Sequence, residues 1–362
     1  MGCCEATNPT LSGVPAGRER TGSWTSIDRR TALKSMAAAA GAVALSGCGD
    51  RTPGPPSTRI RLAFCGQLLC VVPYEVARAR GHFAAEGLEV ELVYTRGGNA
   101  AMQALVGGAV DYAGTSFDVA LQAAAAGASI RRFASTGRLP LFALATSPAR
   151  GREIAAVNGL VGRTVAISGP GNADHALLLF LLDRAGVDPK GVQMATIGTN
   201  VFEALRLGQV DAGMVQEPAL SLIVRAGGRE LVNFMELDEA QAHLGGAYEF
   251  MGVAVRAEER DRRQPEMRRL ASALARGLAD TRSIEPRQIV EALPDELIAG
   301  GDVAQLTGII ERYRLSLYPE QVTVEVEPAE RVMRAQEVAG LLAAGRVDLS
   351  ALLDTSIAGS TN

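Results

Sequence analysis

The sequence predicts an α/β protein of two lobes, each a mainly parallel sheet covered by helices, followed by a helical C-terminal segment. Three observations carry this. From residue 59 to about 256, stretches alternating apolar and polar at period two are interleaved with apolar stripes at helical spacing, the rhythm of βαβ units. That rhythm restarts once, near Arg163. The chain then reads as helix after about Glu258, and 362 residues with 47% hydrophobic content are enough for about two domains with buried cores.

In the first lobe, residues 59–64 alternate as a strand and 73–86 carry one helical pattern closed by Gly87. Strands follow at 88–94, 110–113, 130–136 and 141–146, with helices at 99–106 and 116–126 between them. The second lobe repeats the order, with strands at 163–167, 192–197, 210–215 and 231–234 and helices at 172–185, 201–207 and 218–226. Residues 250–256 form a last strand. The main helices beyond it are 266–281, 303–317 and 330–344.

Ahead of the lobes lies an export signal. Residues 1–28 are polar, Asp28-Arg29-Arg30-Thr31-Ala32-Leu33-Lys34 supplies charge, and 36–45 is a small apolar run. As helix that run spans about 15 Å, half a bilayer's hydrocarbon core, so it is no transmembrane anchor. The arginine pair fits the twin-arginine export signal, with general secretion as the alternative. Leu45-Ser46-Gly47-Cys48 resembles a bacterial lipobox, in which Cys48 receives diacylglycerol and becomes the mature N-terminus; an ordinary cleavage site is the other reading. Cleavage of residues 1–47 removes two net positive charges, taking the formal −4 to −6. Residues 48–58, with Pro53, Pro55 and Pro56, form a semi-rigid spacer.

Composition excludes several functions. With 36 basic against 40 acidic residues the chain lacks the broad basic surface that nucleic acid requires. His82, His175 and His243 and the cysteines Cys3, Cys4, Cys48, Cys65 and Cys70 show no zinc-ligand spacing in the folded part. No metal and no cofactor are expected.

Two phrases, Leu105-Val106-Gly107-Gly108-Ala109-Val110-Asp111 and Leu205-Arg206-Leu207-Gly208-Gln209-Val210-Asp211, occur once per lobe. With 75–90, 160–167, Gln216-Glu217-Pro218-Ala219 and the ending 347–354, they make the chain resemble the substrate-binding proteins of ABC importers, in particular the nitrate, sulfonate, taurine and thiamine-pyrimidine group of type II periplasmic-binding-protein-like folds. The resemblance covers nearly the whole mature chain. It implies a lobe one of 59–138 completed by 257–362, a lobe two of 147–249, and hinge crossovers at 139–146 and 250–256. It also implies an extracytoplasmic, lipid-anchored monomer that closes over a small-molecule ligand and delivers it to a permease and its ATPase, with no reaction. An enzyme on the same fold, of the pyrimidine-precursor synthase or chorismate dehydratase kind, and a ligand-sensing receptor domain are the alternatives.

Ligands of open α/β sheets lie beyond the carboxyl ends of the strands, facing helix N-termini. Four such junctions supply the candidate ligand-binding residues Gly66, Gln67, Gly98, Asn99, Thr115, Ser116, Ser168, Gly169 and Asn172, and His175, Asn200 and Glu217 join them from lobe two. Asn99, Ser116 and Asn172 suit N-caps, so capping is the competing reading. The segment 169–175 lacks the Lys-Ser/Thr ending of a phosphate loop. Cys65 and Cys70 either close a small disulfide loop or stay buried thiols, and no base is placed to make either a nucleophile. The acids Asp118, Asp174 and Glu217 set against Arg96 and Arg138 favour a neutral or amine-bearing organic ligand, such as an aminopyrimidine, over nitrate or a simple sulfonate.

Overall fold

The computed structural model describes residues 57–66, 68–298 and 302–358. The expected export signal 1–47, Cys48, the expected spacer up to residue 56, and Gln67 lie outside the described residues. Strands β1 (Thr58–Cys65), β2 (Leu88–Thr95), β3 (Tyr112–Ser116) and β4 (Ile130–Gly137) belong to the first sheet. The second holds β5 (Ala143–Thr146), β6 (Thr164–Ile167), β7 (Gln193–Thr196), β8 (Ala212–Val215) and β9 (Glu230–Asn233). Strand β10 (Met251–Arg256) returns to the first. The orders are β2-β1-β3-β10-β4 and β7-β6-β8-β5-β9.

Both sheets are mixed in the same way. β1 pairs parallel with β2 and β3, and β10 is inserted antiparallel between β3 and β4. β6 likewise pairs parallel with β7 and β8, and β5 is inserted antiparallel between β8 and β9. The chain therefore crosses from the first sheet to the second between Gly137 and Ala143, and back between Asn233 and Met251. Every residue of β3 is buried, as expected of an inner strand covered on both faces.

In the first lobe the helices are α1 (Leu68–Ala79), α2 (His82–Ala85), α3 (Gly98–Val106) and α4 (Phe117–Ala125). The single helix expected over 73–86 is thus two, because Gly81 takes φ +74° and breaks the ladder. α1 also starts five residues earlier than expected, with Pro73 in its interior. Proline there removes the N–H that would bond the carbonyl of Leu69. The hydroxyl of Tyr318, 249 residues away, donates to that carbonyl at 2.9 Å instead.

Lobe two carries α5 (Ala173–Arg184), α6 (Val201–Arg206), α7 (Ala219–Arg225) and α8 (Leu237–Leu244), the last in a stretch where no element was expected. The C-terminal helices are α9 (Arg260–Ser283), α10 (Pro286–Glu291), α11 (Asp295–Ile298), α12 (Val303–Leu317), α13 (Val326–Val338) and α14 (Leu349–Leu352). α13 begins earlier and ends sooner than the expected 330–344. α9 packs on α1 so closely that a Cβ on Gly277 would stand 2.7 Å from the carbonyl oxygen of Pro73. α13 packs on α4 of the first lobe and α5 of the second, and on α12 the Tyr313 hydroxyl accepts from Asn233 Nδ2 at 3.0 Å. The C-terminal helices thus brace both lobes.

Candidate functional site

The carboxyl ends of the parallel strands converge on a cavity of about 340 Å³. Cys65, Arg96 and Ser116 stand at or just past the ends of β1, β2 and β3; Ser168, Gly198 and Gln216 stand past the ends of β6, β7 and β8. Phe142 and Phe250, one on each connection between the sheets, line it as well and meet edge to face at 6.2 Å. Further apolar surface comes from Val119, Val201, Phe202, Met214 and Met251. The wall is therefore mostly apolar with a few placed polar groups, the usual make-up of a small-molecule site.

A chain of hydrogen bonds joins the lobes across this cavity. Asn99 Nδ2, on α3, donates to Asn172 Oδ1 before α5 at 2.7 Å. Asn172 Nδ2 donates to Ser168 Oγ at 2.9 Å, and Ser168 Oγ to Asp174 Oδ1 at 2.7 Å. Asp174 also accepts from the Ser168 amide at 2.5 Å. Neither Ser116 nor Asn172 caps the helix it precedes with its side chain. Asn172 instead bonds Asn99 and Ser168, and both Ser116 and Asn172 line the cavity.

Glu217 lines the wall too, at 4% exposure. Its carboxylate accepts from the Ser221 amide at 3.0 Å and from Ser221 Oγ at 2.9 Å, across the first turn of α7. A helix N-terminus favours negative charge there. With Asp174 bonded to Ser168, both acids of the wall have internal partners. Arg96 is exposed in the wall and makes no hydrogen bond or ion pair among the described residues.

Residues 71–286 match the NMT1/THI5 like family. The chain belongs to this family. The NMT1/THI5 like chain shares its fold with a protein of Bordetella bronchiseptica RB50 at 23% identity and TM-score 0.74, spanning 83% of this chain and 96% of that one. The periplasmic aliphatic sulphonate binding protein SsuA of Escherichia coli aligns at 19% identity and TM-score 0.62, over 79% of this chain and 86% of its own. The periplasmic nitrate-binding protein NrtA of Synechocystis PCC 6803 aligns at 14% identity and TM-score 0.66, over 84% and 88%. Comparison with curated protein sequences gives no match.

In this family member the expected site residues divide into two sets. Gly98, Asn99, Ser116, Ser168, Asn172 and Glu217 line the cavity. Gly66, Thr115, Gly169, His175 and Asn200 are not part of its wall. The Gly66 amide bonds the Thr95 carbonyl at 3.2 Å, and Gly169 accepts from the Asn172 amide. Thr115 is buried behind Gly98, and its Oγ1 has no partner among the described residues. His175 Nδ1 accepts from the Gly171 amide at 3.0 Å, and burial lowers the imidazole's affinity for a proton. Asn200 is exposed between the two wall residues Gly198 and Val201.

Of the charges weighed for ligand polarity, Arg138 faces away from the cavity, donating to the carbonyls of Leu315 and Ser316. Asp118 is buried behind the wall, where Oδ1 accepts from Gln336 Nε2 at 2.8 Å and from the Tyr248 hydroxyl at 3.3 Å. Sequence reasoning missed the aromatic pair Phe142 and Phe250. It read them as strand and crossover residues, and their apolar character carries no signal that separates wall from core.

Burial pushes the Asp118 carboxyl up to about 6, and the charge of Asp174 adds to this. A folded-state value above the unfolded one means the native protein holds this proton more tightly. The associated stability is therefore full below about pH 4 and lost as pH rises to about 6, by about 3 kcal/mol. Asp118→Asn keeps an acceptor for Gln336 and Tyr248 but cannot titrate. Thermal unfolding of the two proteins between pH 4 and 7 should show the variant with the flatter profile; equal slopes would refute the assignment. Comparing the two also removes Glu249, whose buried carboxyl is pushed up to about 7 and acts in the same direction.

Proposed function

We propose that this protein is the extracytoplasmic solute-binding component of an ABC importer, anchored through a lipid on Cys48, which takes a small organic molecule into the cleft and delivers it to a permease. The observation that carries this reading is the Asn99 to Asn172 bond, because it shows polar groups of both lobes meeting directly across an apolar cavity. Ligand contacts to both lobes favour a closed state, the hinge logic of such receptors. The crossover segments 139–146 and 250–256 serve as the hinge between 147–249 and the rest of the chain, which acts as a monomer. Gly98, Asn99, Ser116, Ser168, Asn172 and Glu217 are the contact residues.

The wall also bears on the ligand's charge. Asp174 and Glu217 are held by internal donors, whereas Arg96 has no partner among the described residues, so the favoured ligand has an apolar body and a negatively charged group. A thermal-shift panel of alkyl and aryl sulfonates, carboxylates and aminopyrimidines tests this. A ligand at 100 times its dissociation constant stabilises by about 2.7 kcal/mol. The expected result is a shift from an organic anion that weakens about tenfold or more in Arg96→Ala, the worth of a charge-assisted hydrogen bond. Aminopyrimidines shifting alone, with Glu217→Gln weakening them, would restore the amine-bearing ligand expected from sequence. Conversion of any of these compounds to a new species would replace the receptor by the enzyme reading.

A further inference from the structure

Cys65 closes β1 and Cys70 is the third residue of α1, so they stand on either side of the turn at Gly66. Both line the cleft, at 7% and 3% exposure, and both are thiols. Their side chains are in hydrogen-bonding contact, and that contact, followed by burial, raises the Cys70 thiol well above its ordinary range. Cys70 therefore keeps its proton, and Cys65, the more exposed of the two, is the sulfur that a molecule in the cleft meets first. Two thiols in contact need only a small approach to reach disulfide geometry.

We propose that Cys65 and Cys70 form a redox-active dithiol in the wall of the cleft, oxidised to an intramolecular disulfide by a small-molecule disulfide. The Cys65 thiolate attacks one sulfur of the oxidant, giving a mixed disulfide and releasing one thiolate of the oxidant. Cys70, losing its proton, then attacks the Cys65 sulfur and releases the second. The protein gives up two hydrogens and the oxidant gains them as two thiols. The new bond pins the β1 to α1 turn beside Gly66, so the cleft exists in a dithiol and a disulfide form.

The sequence provides a clean readout, because trypsin releases residues 62–78 as one peptide that holds Cys65 and Cys70 and no other cysteine. The full chain is held folded in oxidised glutathione, quenched in acid, unfolded with an alkylating reagent, digested and weighed. The expected peptide is two hydrogens lighter than the dithiol, carries no alkyl group, and accepts two after reduction. Cys70→Ser should instead keep one glutathione on Cys65. A wild-type peptide that stays doubly alkylated, or that carries glutathione without closing, overturns the proposal. So does a map in which Cys65 or Cys70 is linked to Cys3, Cys4 or Cys48. The wild-type result decides even if the variant does not fold.

Discussion

Arg132→Ala is expected to destabilise the fold by about 3–5 kcal/mol, the loss seen when one partner of a buried ion pair is removed. Arg132 is fully buried on β4, and its guanidinium donates to Glu249 Oε1 at 3.2 and 2.9 Å. The same group donates to the carbonyls of Thr115 at 2.8 Å, Gly252 at 2.8 Å and Phe250 at 2.9 Å. Truncation takes from the interior a buried donor group on which a carboxyl and three carbonyls depend, although Phe250 keeps the Phe117 amide and Glu249 keeps Ser135. Because Thr115 precedes the cleft residue Ser116 and Phe250 belongs to the wall, the damage should extend to ligand affinity. Urea unfolding measures the loss. In Arg132→Met with Glu249→Gln, which removes the lone charge, the loss should be smaller than the two single losses added by more than about 1 kcal/mol. A loss below about 1 kcal/mol for Arg132→Ala would show that the pair contributes little.

Gly252→Ala should cost about 3 kcal/mol, the upper range for overpacking a filled interior. A Cβ at this position would stand 2.1 Å from the carbonyl oxygen of Ala134 and 2.5 Å from Nε and Nη2 of Arg132. The bare backbone of β10 is what lets the guanidinium lie against it, between two shifts of register in the β10 and β4 ladder. Gly308 supplies the comparison, since it is exposed within α12 and an added Cβ meets nothing within 4 Å. There alanine should stabilise by about 0.5–1 kcal/mol. If the two substitutions had similar effects, the close approach at Gly252 would not be what matters.

The alternation of strand and helix was legible because each element buries one face, and that leaves a period in the sequence. What escaped was decided by residues far along the chain. Pro73 suits the start of a helix, and locally that is the sound reading. The Tyr318 hydroxyl, reaching the Leu69 carbonyl, satisfies the acceptor left open where the helix runs through Pro73. Arg132 follows a second arginine, the half-buried Arg131, and its partner Glu249 is 117 residues away, so no local pattern announces the pair. At the cleft, Asn99, Ser116, Ser168 and Asn172 were found through their place before helices. Their chemistry was not, because Asn172 bonds across to Asn99 and back to Ser168 rather than capping α5. Glu217 was expected among the ligand-binding residues, and the Ser221 donors that hold it lie one helical turn on.

The insertion of β10 between β3 and β4 sets the order in which the chain can be completed as it leaves the ribosome. All five strands of the second sheet lie between residues 143 and 233, so that sheet has its full complement once Asn233 is made. The first sheet begins at Thr58, yet β4 has no ladder partner until Met251–Arg256 emerges, and α1 lacks the hydroxyl that fills the gap beside Pro73 until residue 318. Contacts that bridge long stretches of chain carry the larger closure cost and form late. The half of the protein synthesised first is therefore the half that waits, holding unpaired strand edges until β10 arrives.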